Sequence, residues 1–218
     1  MAALELVDCG PRDLLAESNH RIANHLSLLA GMVQLQAAQV AKGPELFTKT
    51  EVNGLLRETA GKIISIGSFH RRLAHKGDTG RCDLGSHIIE YAKEMIASLA
   101  LSQRLSISER IEGGCIVTPE QAQTAMLIVG EIVMNALKHA HPTGLPVAIS
   151  LGCGRNSDGS ISLLVADDGI GFPENFNPGK DGGLGLKLIR SLSEKLGAVL
   201  DVETDSLGVS FHLRIPPA

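Results

Sequence analysis

The stretch Glu131-Ile132-Val133-Met134-Asn135-Ala136-Leu137-Lys138-His139-Ala140 decides how this chain is read. It closes a segment that opens with the marks of a helix start. Thr118 can cap, Pro119 suits the first helical position, and Gln121 can reach back to complete a capping box. The pattern predicts a helix over 119–140. Ala122, Ala125, Met126, Val129, Ile132, Val133, Ala136 and Leu137 share one side of it. Glu131 and Asn135, one turn apart, fall on the opposite side with Lys138 and Thr124. An acid, an amide and a cation in one row can serve metal and phosphate together, because Mg²⁺ takes oxygen ligands and shares the rest with phosphate. Taken alone, such a row reads as a solvated polar face.

The residues that follow change that reading. Segments 147–151 and 161–166 are predicted strands joined by the turn Arg155-Asn156-Ser157-Asp158-Gly159. The second strand runs into Asp167-Asp168-Gly169-Ile170-Gly171. An aspartate at a strand end, followed by two glycines, can accept a hydrogen bond from an exocyclic amine while the backbone passes close to a ring. A loop over 172–181 leads to Gly182-Gly183-Leu184-Gly185-Leu186 and a helix over 187–196. A glycine-rich entry to a helix favours phosphate through free N–H groups and the helix dipole. Strands over 198–203 and 209–215 complete the series. Upstream lie a helix over 85–101, a strand over 105–111 and a turn at Gly113-Gly114. Either glycine cluster alone carries little. Together, in this order and on these elements, they point to a nucleotide site.

Further upstream the chain reads as two helices. Residues 13–41 lack proline, and Leu15, Ile22, Leu26, Leu29 and Val33 fall in a band about 60° wide on one face. His20 lies about 120–180° from that stripe, with Glu17 and Asn24 on its own side. An outward imidazole can act as a nucleophile or simply be solvated. Lys42-Gly43-Pro44 breaks the helix, and a second one is expected over 44–73 with Leu55, Leu56, Ile63, Ile66 and Phe69 as its apolar face. Two such helices leave apolar surface uncovered, so self-association into a four-helix bundle is expected. Lys76-Gly77-Asp78-Thr79-Gly80 is the expected linker. The fold class is therefore α+β: a helical hairpin over 1–77, then an α/β sandwich with a mixed sheet over 82–218.

Composition narrows the function classes. Of 218 residues, 44% are hydrophobic and 20% charged, ordinary for a globular protein. The net charge of −4, without a basic block, argues against a nucleic-acid partner. Cys9, Cys82, Cys115 and Cys153 form no Cys-x-x-Cys pair, which suits reduced thiols of a cytoplasmic protein. No apolar run is long enough to span a bilayer, and no signal peptide is seen.

On these residues the chain resembles a two-component histidine kinase with a GHKL-type (Bergerat-fold) ATPase domain, over about residues 14–215. The segment 131–140 matches the family's asparagine box. Asp167-Asp168-Gly169-Ile170-Gly171 matches its first glycine box, and Gly183-Leu184-Gly185-Leu186 its second. Glu17-Ser18-Asn19-His20-Arg21-Ile22-Ala23-Asn24 resembles the family's alternative acceptor helix, where the histidine is followed by Arg and, three further on, Asn. The resemblance implies ATP and Mg²⁺ as cofactors and His20 as the phosphoacceptor. It implies Asn135 and Glu131 as the residues at the Mg²⁺, with Glu131 also orienting a water or accepting a proton. Asp167 would bind the adenine amine, with Gly169 and Gly171 giving room for the base. Gly183, Leu184, Gly185 and Leu186 would line the triphosphate, with Lys138 and His139 neutralising its charge.

Arg21 stands where the commonest relatives carry an acid directly after the acceptor. The base for His20 is then Glu17 or Glu131. The expected partners are a response regulator's receiver domain, a separate sensor protein and a second copy of the chain, with no membrane insertion. A histidine phosphotransferase that uses no ATP is the competing reading; intact Asn135, Asp167 and Gly171 weigh against it. A serine-kinase switch on the same ATPase fold would lack the acceptor segment around His20. His70, in the setting Phe69-His70-Arg71-Arg72, lacks the face that Glu17, His20 and Asn24 form.

Overall fold

The computed structural model describes residues 46–75, 81–98, 105–141 and 145–217, with scattered positions between 23 and 41. Two compact units make up the chain, residues 1–46 and 47–218. In the first, every described position between 23 and 41 is helical, as the apolar spacing predicts. Val33, a member of the expected stripe, is 45% exposed. His20, Glu17, Asn24, Leu15, Ile22, Leu26 and Leu29 lie outside the described residues, as does the tract 76–80.

The second unit begins with α1 (Lys49–His75). It starts later than the Pro44 expected from sequence, because Thr48 and Glu51 close a capping box. The Thr48 N–H donates to Glu51 Oε2 at 2.8 Å, and the Glu51 N–H donates to Thr48 Oγ1 at 3.2 Å. These contacts hold the Glu51 carboxyl below its usual range. The expected apolar face is only partly covered within the chain. Leu55 is half-buried, whereas Leu56 and Ile63 are exposed.

A two-residue strand, β1 (Cys82–Asp83), pairs antiparallel with β3 (Ile116–Val117). Pieces this short carry no periodicity, and the sequence did not reveal them. Between them lie α2 (Leu84–Ser98) and β2 (Leu105–Ile111). The Asp83 side chain caps α2 by accepting from the Ser86 N–H at 3.1 Å.

Helix α3 (Pro119–His139) carries the capping box expected at Thr118 and Gln121, with both reciprocal bonds formed. The expected two-faced pattern is corrected. Thr124 and Glu131, placed on a solvated side, are buried, as is Gln123. Over 122–134 the helix is covered all round because α1, α2 and α4 (Leu184–Lys195) pack on it while it also rests on the sheet. The Thr124 hydroxyl is satisfied locally, donating to Glu120 O at 2.9 Å.

The sheet is completed by β4 (Val147–Arg155), β5 (Ile161–Asp167), β6 (Val199–Asp205) and β7 (Gly208–Ile215). Its order is β2-β4-β5-β7-β6, parallel only between β2 and β4, so the expected mixed sheet is found. Val147, Ile149, Leu151 and Cys153 of β4, Leu163 and Val165 of β5, and Phe211 and Leu213 of β7 are buried on one face. That alternation makes one side the core and leaves the other to solvent, which is the α/β sandwich. Strand β4 runs four residues past its expected end, since Gly152 and Gly154 hide the polar half of the alternation. Helix α4 starts three residues earlier than expected. The Lys187 N–H bonds Gly183 O at 3.2 Å, and Leu186, Ile189 and Leu192 bury one face.

Candidate active site

Asp167 ends β5, opposite Ile149 of β4. Its Oδ1 accepts the Gly169 N–H at 2.9 Å, so the carboxylate is held in the turn by the backbone. Burial pushes the Asp167 carboxyl above its usual range, against the opposing effect of N–H donors from Gly169 and Val209. Asp168 turns the other way. Its Oδ1 accepts the Ala148 N–H at 2.9 Å and lies 3.2 Å from His141 Nε2.

The turn after Asp167 is clamped from two sides. The Ile170 N–H donates to Ala140 O at 3.0 Å, and a Cβ on Gly169 would sit 2.6 Å from the Ala140 Cα. Gly171 has φ +72°, and a Cβ there would fall 2.1 Å from Asp205 O. Only glycine fits both demands. These contacts bind the end of α3, the Asp167–Gly171 turn and the β6–β7 hairpin into one rim.

The opposite rim is built where α3 meets α4. A Cβ on Gly185 would lie 2.9 Å from Asn135 Oδ1, so the carboxamide rests against the first turn of α4. Gly183 is the N-cap of that helix and offers no side-chain cap, unlike Thr118 on α3. The first N–H groups of a helix have no partner within it, and they carry the positive end of its dipole. Space around Gly183 is open. An anion there would meet free N–H groups on one side and an amide on the other.

Asn135 is half-buried, Lys138 and His139 are exposed on the last turn of α3, and Glu131 is buried one turn earlier. Partial desolvation, then the charge of Lys138, holds His139 below the usual histidine range. Glu131 lies close enough to the buried Tyr91 that its charge, after burial itself, pushes the phenol well above its usual range.

The expected residues thus gather into two rims joined by the end of α3. Asp167, Gly169 and Gly171 stand at one, and Asn135, Gly183 and Gly185 at the other. Leu186 is buried and anchors α4; the Leu184 side chain lies outside the described residues. His20 and Glu17 lie outside them too. The donor set fits a nucleotide: a carboxylate oxygen in a glycine-lined turn, then an uncapped helix start. Among the described residues no three His, Cys, Asp or Glu gather as a metal cage. A divalent ion would rest on the Asn135 amide oxygen and on phosphate, a donor pattern that suits Mg²⁺.

Sequence reasoning missed three supporting residues. Gly208, with φ +136°, lets the hairpin approach Asp167, since a Cβ there would fall 1.9 Å from Asp167 O. Thr204 accepts the Phe172 N–H on its hydroxyl at 2.8 Å, and Ala140 backs Gly169. A glycine after Asp205-Ser206-Leu207 is a legible turn signal; the other two carry none.

Two family models match the chain. One, described as histidine kinase, covers residues 17–100; the other, described as histidine kinase-, DNA gyrase B- and HSP90-like ATPase, covers residues 120–218. Among curated proteins, blue-light-activated histidine kinase 2 of Erythrobacter litoralis is 26% identical over 93% of this chain and 56% of its own length. Sensor histidine kinase PdtaS of Mycobacterium tuberculosis is 25% identical over 93% of this chain and 39% of its own. The chain thus spans about half, or less, of the length of these relatives. The histidine kinase domain of the Erythrobacter litoralis EL346 protein shares the fold, with TM-score 0.67, 24% identity and coverage of 93% of this chain and 92% of that one. Among the described residues no helix is long and apolar enough to cross a membrane.

Proposed function

Since the chain belongs to the histidine kinases, with a GHKL ATPase domain, we propose that it transfers the γ-phosphoryl group of ATP to His20 and passes it to an aspartate on a response regulator. The observation that carries this reading is the Asn135 carboxamide set against Gly185, beside the uncapped start of α4. Phosphoryl transfer asks a protein mainly for positioning and charge neutralisation, and these groups supply both.

Asp167 accepts the adenine amine, and the room left by Gly169 and Gly171 admits the ring. The N–H groups after Gly183 bind phosphate oxygens, and Lys138 neutralises their charge. Mg²⁺ held by Asn135 would offset the charge of the phosphate oxygens. A neutral ring nitrogen of His20 attacks the γ-phosphorus; the P–N bond forms, the bond to the bridging oxygen breaks, and ADP leaves. The proton from the imidazole goes to Glu17 or Glu131. The receiver aspartate then displaces the phosphoryl group from His20.

The functional division is an acceptor and dimerisation segment over 1–77 and a catalytic domain over 82–218. Exposed Val52, Leu56, Ile63 and Ile64 on α1 support pairing of two copies through that helix. The reading makes the protein cytoplasmic, with a response regulator's receiver domain as its partner. Incubation with γ-labelled ATP and Mg²⁺ is expected to give acid-labile, base-stable label that disappears in His20→Ala. Label that persists in that variant rules out His20 as acceptor.

A further inference from the structure

We propose that Arg190 is a positioning residue for this ATP site, a latch that holds the loop over 172–183 in its covering position. The proposal rests on the ATP-dependent reading above. Arg190 lies on α4, two turns from the helix start that would bind phosphate. Its Nη1 donates to two backbone carbonyls of the loop, Pro178 O at 2.5 Å and Asp181 O at 3.1 Å.

The loop segment that it grips is a block closed on itself. The Asn177 N–H donates to Asp181 Oδ2 at 2.8 Å, and the Gly179 N–H donates to Asn177 Oδ1 at 2.9 Å. The N–H groups of Lys180 and Asp181 both donate to Asn177 O, at 3.0 and 2.7 Å. Such a block moves as a unit. Its connection to α4 passes through Gly182, whose φ of +100° is open to glycine and strained for other residues.

At its other end the loop is held by the Phe172 N–H on Thr204 and by the stack of Phe172 on Phe176, with ring centroids 4.5 Å apart. The loop therefore has one anchor on β6 and one on α4, with a glycine pivot beside the second. Irregular backbone carbonyls need donors, and a charged guanidinium is a strong one. Without Arg190 the block at 177–181 can swing about Gly182, uncovering nucleotide while both rims of the site stay intact.

The test uses the full chain with Arg190→Ala and Arg190→Lys. Hydrogen exchange is followed over 172–183, with β5 as the internal reference. Dissociation of N-methylanthraniloyl-ADP is timed by stopped flow, and thermal unfolding is recorded. In Arg190→Ala, exchange should rise over 172–183 alone and nucleotide should leave about tenfold faster, a modest part of what its two charge-assisted hydrogen bonds hold. Arg190→Lys should restore part of both, and the unfolding temperature should hold. Unchanged loop exchange and dissociation in Arg190→Ala overturn the latch. So does a global rise in exchange with a large drop in unfolding temperature that Arg190→Lys fails to correct, which makes the residue merely structural. Wild-type chain that binds no nucleotide overturns the ATP reading itself, whatever the exchange data show.

Discussion

Replacing Gly185 with alanine adds one methyl group 2.9 Å from Asn135 Oδ1, 3.2 Å from Nδ2 and 3.4 Å from Cγ. Ordinary contact begins near 3.4 Å, so the carboxamide must retreat by about 0.5 Å. The effect on folding is small. Alanine is favoured over glycine within a helix by up to about 1 kcal/mol, and pushing a side chain off its rotamer costs about 0.5–1.5 kcal/mol. The two nearly cancel, and the unfolding temperature should stay within about 4 °C of wild type. The effect on the site is large. Shifting a metal- and phosphate-binding amide in a site that works by positioning should lower Mg·ATP affinity or autophosphorylation by about 10–100-fold. Calorimetry with Mg·ATP, an autophosphorylation time course and a thermal melt together read this out, with Asn135→Ala as the reference for full loss. A Gly185→Ala protein that autophosphorylates at the wild-type rate would refute the claim that Asn135 works from the position it holds against α4. A fall in unfolding temperature well beyond 4 °C would locate the clash in the fold and not in the site.

Asp167 should give nucleotide binding an acid limb. Burial raises its carboxyl above the usual range, so affinity should begin to fall at a higher pH than an ordinary aspartate would impose, and Asp167→Asn should flatten that limb in titrations across pH. The sign for stability is opposite. The native state binds this proton more readily than the unfolded chain, so the group's contribution weakens stability as pH rises through the window between the ordinary and the raised value. Tyr91→Phe should stabilise the fold by about 1 kcal/mol in denaturant titration, because the Tyr91 hydroxyl is fully buried with no hydrogen-bond partner among the described residues. A loss of stability on that change would mean that the hydroxyl is satisfied in solution.

What the residues alone determined is what depends on near neighbours in the chain. The capping box at Thr118, the strand that delivers Asp167, the glycine turn after it and the glycine entry to α4 all follow from spacings of a few residues, and each forms as expected. The burial of Thr124 and Glu131 was not legible, because it depends on which helices cover α3. Nor was the tiny β1–β3 pair, whose two-residue strands have no period to read. The glycines were legible as a motif but not as a mechanism. That Gly185 makes room for Asn135, fifty residues earlier in the chain, and Gly171 for Asp205 is a matter of surfaces meeting after folding. Local pattern chooses helix, strand and turn because backbone sterics act within a turn or two. Which side chains share a site is decided by packing between elements, and that exists only once the sheet and its helices have closed on one another.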